Sequence, residues 1–159
     1  MSLSTRISAC ALGLACLLTA SGLAHAQGDQ TIRRINPSSL SQPNGYTHVV
    51  EVSGGRTLYI AGQVALDSAG ALVGAGDFAA QTEQVFANLR RALASAGATF
   101  SDVVKLTILS TDASKLSVVR EIRARYLDRA QAPASTFMEV RGLARSAWLI
   151  EIEAVAVVR

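Results

Sequence analysis

Cysteine and histidine are scarce in this sequence. The only two cysteines, Cys10 and Cys16, lie within the first 26 residues, and of the two histidines only His48 lies beyond that segment. Residues 27–159 therefore offer no thiol for a disulfide, a cysteine nucleophile or a zinc-thiolate site. A histidine-rich metal centre and a Ser-His-Asp triad are nearly excluded as well. We expect neither a metal nor a cofactor.

Clustered positive charge is also missing. The chain has 15 Lys and Arg against 12 Asp and Glu, for a net charge of +3, and no basic run exceeds the pairs Arg33–Arg34 and Arg90–Arg91. Nucleic-acid-binding proteins normally concentrate basic residues on one face or tail, so we expect no nucleic-acid partner. The glycines between Gly70 and Gly76 lack the lysine of a phosphate-binding loop.

The first 26 residues have the pattern of a secretory signal. They contain no acid and one base, Arg6, followed by an apolar stretch from Ile7 to Leu23 and the small-x-small sequence Ala24-His25-Ala26. A membrane anchor is the alternative, but the apolar stretch is diluted by Ser, Thr and Gly and is near the minimum length for a span. The sequence predicts a cleaved signal at 1–26, a single periplasmic or secreted domain at 27–159, and no membrane contact after cleavage.

Hydrophobic periodicity predicts eight secondary-structure elements in the order β-β-β-α-β-α-β-β. The strands are predicted at 31–36, 47–52, 56–61, 103–110, 135–141 and 148–158, and the helices at 77–96 and from 112 or 114 to about 126. Ser53-Gly54-Gly55 predicts a hairpin turn between the second and third strands. Two amphipathic helices on one face of a mixed sheet form an α+β two-layer sandwich.

The last predicted strand is apolar on both faces. Ile150, Ile152 and Ala154 alternate with Glu151, Glu153 and further apolar residues. Two helices cover only one face of the sheet, so we expect another copy of the chain to cover the other face.

Glu151 and Glu153 are the strongest candidates for chemistry. Residues two apart on a strand project from the same face, about 7 Å apart, and a carboxylate among apolar neighbours is suited to act as a general base on water. The alternative is a structural role, in which both glutamates form ion pairs with arginines such as Arg141 on the next strand. The spacing alone leaves both interpretations open.

The second helix carries a charged face. Arg120, Glu121, Arg123, Arg125 and Asp128 lie opposite its apolar stripe. Mixed charges on one helix face are typical of a solvated surface, which is the interpretation that we favour.

Several motifs resemble the RidA (YjgF) family over residues 34–159. They are Ile60-Ala61-Gly62-Gln63-Val64, Val104-Lys105-Leu106-Thr107 with Asp112, Ala132-Pro133-Ala134, Met138-Glu139-Val140 and Ile150-Glu151-Ile152-Glu153-Ala154-Val155-Ala156. The resemblance implies a chorismate-mutase-like α+β fold and a homotrimer with clefts between subunits. It also implies cofactor-independent hydrolysis of reactive imines and enamines to 2-oxo acids and ammonia.

The resemblance also implies site residues. Glu151 matches the glutamate that activates water, Tyr46 matches the site tyrosine, and Gly62 belongs to the family's Gly-Gln motif. Other positions differ from the family pattern. Ala61 stands where the family has a serine, and Ser135 stands where it has a carboxylate-binding arginine. Phe137 replaces a Cys or Thr, and Arg120 replaces an asparagine. A serine cannot replace a bidentate guanidinium–carboxylate contact, so the substrate range is expected to be altered.

Two functions are consistent with these residues. The first is hydrolysis of a small imine or enamine in a cleft between subunits, with Glu151 activating water and Arg120 as a substitute for the missing arginine. The second is a non-catalytic periplasmic trimer that binds a small ligand in the same cleft. A chorismate-mutase-type reaction is less favoured, because it requires more convergent cationic groups.

Overall fold

The computed structural model describes residues 30–159, so the predicted signal at 1–26 lies outside the described part of the chain. The predicted element order is confirmed. The elements are β1 Thr31–Ile35, β2 Val49–Ser53, β3 Arg56–Gln63, α1 Phe78–Ser95, β4 Val103–Ser110, α2 Leu116–Arg123, β5 Ala134–Glu139 and β6 Ile150–Val158. Single 3₁₀ turns at Phe100–Asp102, Ala113–Lys115 and Arg129–Gln131 precede β4, α2 and β5.

The strands form a mixed four-stranded sheet and a separate pair. The order in the sheet is β3-β6-β4-β5, with β4 and β5 parallel and the other neighbours antiparallel. Both helices lie on one face of this sheet, which confirms the α+β sandwich. Within residues 30–159, no helix combines the length and apolarity needed to cross a membrane.

The predicted hairpin between the second and third strands is wrong. β2 pairs with β1, whereas β3 pairs with β6. Gly54 and Gly55 have φ angles of 69° and 83°, and a Cβ at Gly55 would lie 2.7 Å from Val157 Cγ1. The chain therefore passes tightly over the end of β6 at this point, and β3 continues beside β6 instead of returning along β2.

The core lies between α1 and the inner face of β6, as the periodicities predict. On α1 the stripe of Thr82, Val85, Phe86, Leu89 and Leu93 is buried, and on β6 Ile150, Ile152, Ala154 and Ala156 are buried opposite it. Burial of these side chains, at roughly 1.5–3 kcal/mol for each large one, fixes which face of β6 is turned away from the helices.

The second helix is shorter than predicted. α2 ends at Arg123, because the backbone N–H groups of Arg125 and Tyr126 bond to carbonyls three residues back and tighten the chain into a turn. Tyr126 still packs where the stripe predicts: its ring stacks on Phe86 at 5.2 Å, and its hydroxyl donates to Glu83.

The N-terminus of α1 provides a test of the local structure. The Asp77 carboxylate accepts a hydrogen bond of 3.0 Å from the Ala80 N–H, as the sequence predicts for a helix cap. Asp77→Ala is expected to lower the free energy of unfolding by about 0.5–2 kcal/mol. Urea denaturation of both proteins measures this difference, and an Asp77→Asn variant, which keeps a capping oxygen, should recover most of the stability.

Candidate functional site

Glu151 lies against a glycine on the neighbouring strand. The register between β3 and β6 shifts between Ile60 and Gln63, which places Gly62 beside the Glu151 side chain. A Cβ at Gly62 would overlap the Glu151 carboxylate and lie only 2.8 Å from its Cδ. The half-buried carboxylate therefore occupies the space that a side chain at position 62 would need. Ala61, which is exposed, precedes Gly62 in the sequence.

The ion pairs that the alternative interpretation assigns to Glu151 and Glu153 are not formed within residues 30–159. Neither glutamate has a salt-bridge partner there, and Arg141 lies beyond the end of β5. The two carboxylates also differ in their surroundings: Glu153 is exposed and pairs across the sheet with Thr107, whereas Glu151 is half-buried. Of the two, Glu151 has the more enclosed position.

The sheet face that carries Glu151 is open in a single protomer. Tyr59 is 83% exposed and Met138 is 42% exposed on this face. Half-buried Leu109 and Val155 lie between them. The face also carries polar side chains, among them Lys105, Thr107 and Thr136, and the described part of the chain places no further layer over it.

Tyr46 lies in a loop that is fixed to the segment before β5. The buried Thr47 donates its N–H to the Pro133 carbonyl at 3.0 Å and its hydroxyl to the Ala132 carbonyl at 2.5 Å. The Tyr46 ring, which is half-buried, contacts the His48 ring edge-on at 5.1 Å. These contacts place Tyr46 next to the beginning of β5.

Ser135 and Phe137 face the helices, because each pairs with a buried residue of β4. Ser135 is in register with Leu106 and Phe137 with Ile108, and paired residues share a face. Phe137 packs against the hydrophobic core. The phenyl ring at this position is therefore part of the structural core, and half-buried Ser135 lies between it and the Tyr46 loop.

Arg120 lines a cavity of about 120 Å³ beside the same loop. The cavity is bounded by Gly45, by α2 and by the segment that ends at Pro133. Arg123 lines it too, although the sequence interpretation placed Arg123 on a solvated face. Residues three apart on a helix share one side, and that spacing is the signal that could have linked Arg123 with Arg120.

The sequence-predicted site residues fall into two groups in one protomer. Ala61, Gly62 and Glu151 form a sheet-face group, whereas Tyr46, Arg120, Ser135 and Phe137 form a helix-side group. Glu151 on β6 is in register with Leu109, whereas Ser135 on β5 is in register with Leu106. The two residues are therefore two strands and three residues apart, roughly 14 Å, on opposite faces of the sheet. A single protomer therefore does not bring the two groups together.

No arrangement of side chains for binding a metal ion is seen in residues 30–159: they contain no cluster of three or more His, Cys, Asp or Glu side chains that could serve as ligands. The sheet-face group offers a carboxylate, and the helix-side group offers one guanidinium and two hydroxyl groups.

Comparison with known proteins connects this geometry to a family. The family model described as endoribonuclease L-PSP matches residues 37–158. Protein DfrA of Myxococcus xanthus is 36% identical over 129 residues, covering 81% of this chain and 91% of that protein. The 2-iminobutanoate/2-iminopropanoate deaminase of Mus musculus is 37% identical over 112 residues, covering 70% of this chain and 80% of the enzyme.

A solved structure agrees with these relatives. The Rid family protein YyfB from Yersinia pestis, described as of unknown function, is 43% identical, with a TM-score of 0.73, and the match covers 80% of this chain and 98% of that protein. The family model spans most of the chain, and the relatives match it over most of their own length. The chain therefore belongs to the endoribonuclease L-PSP family, the RidA (YjgF) family that its sequence motifs resemble.

Proposed function

We propose that the protein hydrolyses small imines or enamines to carbonyl compounds and ammonia. The observation that carries the proposal is the Glu151 carboxylate held against Gly62, at the open face of the sheet. The similarity of the chain to the mouse 2-iminobutanoate/2-iminopropanoate deaminase supports the same reaction class.

The reaction requires only a positioned base. Glu151 takes a proton from water as the new C–O bond forms at the imine carbon, and the C=N electron pair moves to nitrogen, which takes a proton from solvent. Glu151 then gives its proton to the amine nitrogen as the C–N bond breaks, and the hydroxyl proton passes to solvent, so ammonia leaves and the carbonyl forms. The net change is R₂C=NH + H₂O → R₂C=O + NH₃, and general base catalysis of this kind is worth about 10²- to 10⁴-fold.

The site in this proposal lies between copies of the chain. The open face of the sheet carries two large exposed apolar side chains, Tyr59 and Met138, which are suited to burial against a second copy. In a closed homotrimer each copy would supply its sheet-face group to one cleft and its helix-side group to the next. Glu151 of one copy would then meet Tyr46, Arg120 and Ser135 of another, with the small-molecule ligand bound between them.

The substrate range is proposed to differ from that of relatives with an arginine at position 135. Ser135 is half-buried and has no charge to bind a carboxylate at that point of β5. The charged hydrogen bonds of a bidentate guanidinium are worth about 1.5–3 kcal/mol each, and a hydroxyl does not supply them.

The test is direct. We expect the purified protein, incubated with 2-iminobutanoate generated in situ, to release 2-oxobutanoate and ammonia faster than the buffer blank. No acceleration with this imine or with a neutral ketimine would overturn the hydrolase. Saturable stabilisation of the protein by 2-oxobutanoate without turnover would favour the ligand-binding trimer instead.

Export is a separate proposal. We propose that residues 1–26 are removed on secretion, because their sequence has the pattern of a cleaved signal. N-terminal sequencing of protein recovered from the periplasm or medium of an expressing bacterium should begin at Gln27. Protein that keeps Met1 and stays in the cytoplasm would contradict export.

A further inference from the structure

The cavity beside α2 has an excess of positive charge. Its lining residues include three arginines, Arg120, Arg123 and Arg129, and a single acid, Asp128. The volume of about 120 Å³ corresponds to roughly four waters at their liquid volume of about 30 Å³ each. The space therefore suits an organic acid of a few carbon atoms.

Arg123 is half-buried at the wall of this cavity. Its guanidinium lies directly against the Gly45 backbone, so that a Cβ at Gly45 would overlap Nη2 and lie 3.5 Å from Cζ. Gly45 has a φ of 79°, which also favours glycine at this turn. Burial, and then the charge of Arg120, lower the pKa of Arg123, as expected for a desolvated cation held near a like charge.

In the described part of the chain, the one acid that lines the cavity, Asp128, forms no salt bridge with these arginines. Within residues 30–159, neither Arg120 nor Arg123 forms a salt bridge, and the Asp128 carboxylate accepts the Ala130 N–H at 2.9 Å. Arg129 donates to the Asn44 side-chain oxygen at 3.3 Å. By contrast Arg125, two residues from Arg123, pairs with both Glu83 and Glu121 on the solvated surface.

We propose that Arg120 and Arg123 together bind the carboxylate of a small organic acid, and that they supply the anion contact that Ser135 cannot. Two guanidinium groups one helical turn apart present paired donors for which a carboxylate is a matching acceptor. The inference rests on the proposed function, and it adds Arg123 to the Arg120 that the sequence already suggests as an anion-binding residue. Arg123 is then a binding residue of this chain, at a position that the sequence interpretation assigned to solvent.

Calorimetric titration with 2-oxobutanoate tests the site without requiring turnover. Arg123→Gln is expected to weaken binding about 10- to 100-fold, since it removes charged hydrogen bonds. Arg123→Lys keeps the charge but lacks the planar pair of N–H donors of a guanidinium, so its affinity for 2-oxobutanoate should fall by an intermediate amount. Arg125→Gln, which removes the same charge from the solvated side of the turn, should bind as the wild type does, within about twofold.

The proposal and the function can fail separately. Unchanged affinity and unchanged KM in Arg123→Gln, with circular dichroism showing a folded protein, would overturn the carboxylate site even if the wild type hydrolyses imines. Binding that depends on Arg123 without hydrolysis by the wild type would support the site and overturn the hydrolase. Tighter binding of inorganic phosphate than of 2-oxobutanoate, or equal binding of the neutral 2-butanone, would overturn the carboxylate assignment.

Discussion

Replacing Glu151 by glutamine is expected to lower kcat for imine hydrolysis by about 10²- to 10⁴-fold, which is the contribution of a positioned general base. The amide has nearly the same shape but cannot take a proton from water. Because Glu151 makes no salt bridge within residues 30–159, its loss should leave the fold intact. Steady-state release of 2-oxobutanoate measures the effect.

The matched control is Glu153→Gln on the same face of β6. Glu153 is exposed and lies two residues further from the Gly62 contact, so its substitution should change kcat by less than about threefold. Equal losses in both variants would mean that the negative charge of the face matters rather than one base. Retention of full activity in Glu151→Gln would remove Glu151 from the mechanism.

Gly62→Ala is expected to reduce activity by about 10²-fold or more while the protein stays folded. The added methyl group would overlap the Glu151 carboxylate. The flexible glutamate side chain can turn aside at little cost to the fold, but its carboxylate is then displaced by more than 1 Å, and a displacement of that size at a catalytic group costs about 10²-fold. Parallel assays of activity and urea denaturation separate the two effects.

Gly142→Ala is the control for this substitution. A Cβ at Gly142 would meet nothing within 4 Å in the described part of the chain beyond its own neighbours in sequence, and Gly142 has no positive φ. A methyl group is therefore accommodated there without strain, and activity in this variant should equal that of the wild type. If Gly62→Ala is as active as Gly142→Ala, the position of the Glu151 carboxylate against β3 has no part in the reaction.

Local patterns in the sequence were sufficient for most of the fold. The alternation along β6 correctly separates Ile150, Ile152 and Ala154, which are buried, from Glu151 and Glu153. The Asp77 cap and the apolar stripe of α1 were predictable for the same reason, since hydrogen bonding and periodicity act over a few residues.

Strand pairing was harder to predict. Gly54-Gly55 has the composition of a hairpin turn, but a turn sequence does not determine which strand becomes the neighbour of β3. That choice depends on packing against Ala154 and Ala156 of β6, about 100 residues later in the chain, which is a tertiary preference rather than a local one.

The candidate site was predictable only in part. Motif similarity proposes Glu151, Tyr46 and Arg120 as site residues, and this stays a prediction. The contact between Arg123 and Gly45 joins α2 to a distant loop, which no motif indicates. Mixed charges along a helix are typical of solvent exposure, and this holds for Glu121 on α2 and for Arg125 in the turn after it, but not for Arg123. Predicting that the sheet-face group and the helix-side group are separate requires the order and register of the strands, which no single motif contains.

Mixing two inactive variants tests the central claim, that two copies share each site. Glu151→Gln disables the sheet-face group and Arg120→Glu disables the helix-side group, so each variant alone should be inactive. Each cleft takes its sheet-face group from one copy and its helix-side group from another, and in an equal mixture each group is intact in half of the copies. About a quarter of the clefts in randomly reassembled trimers therefore have both groups intact, and about a quarter of the wild-type activity should return. A mixture no more active than either variant alone would contradict a shared site.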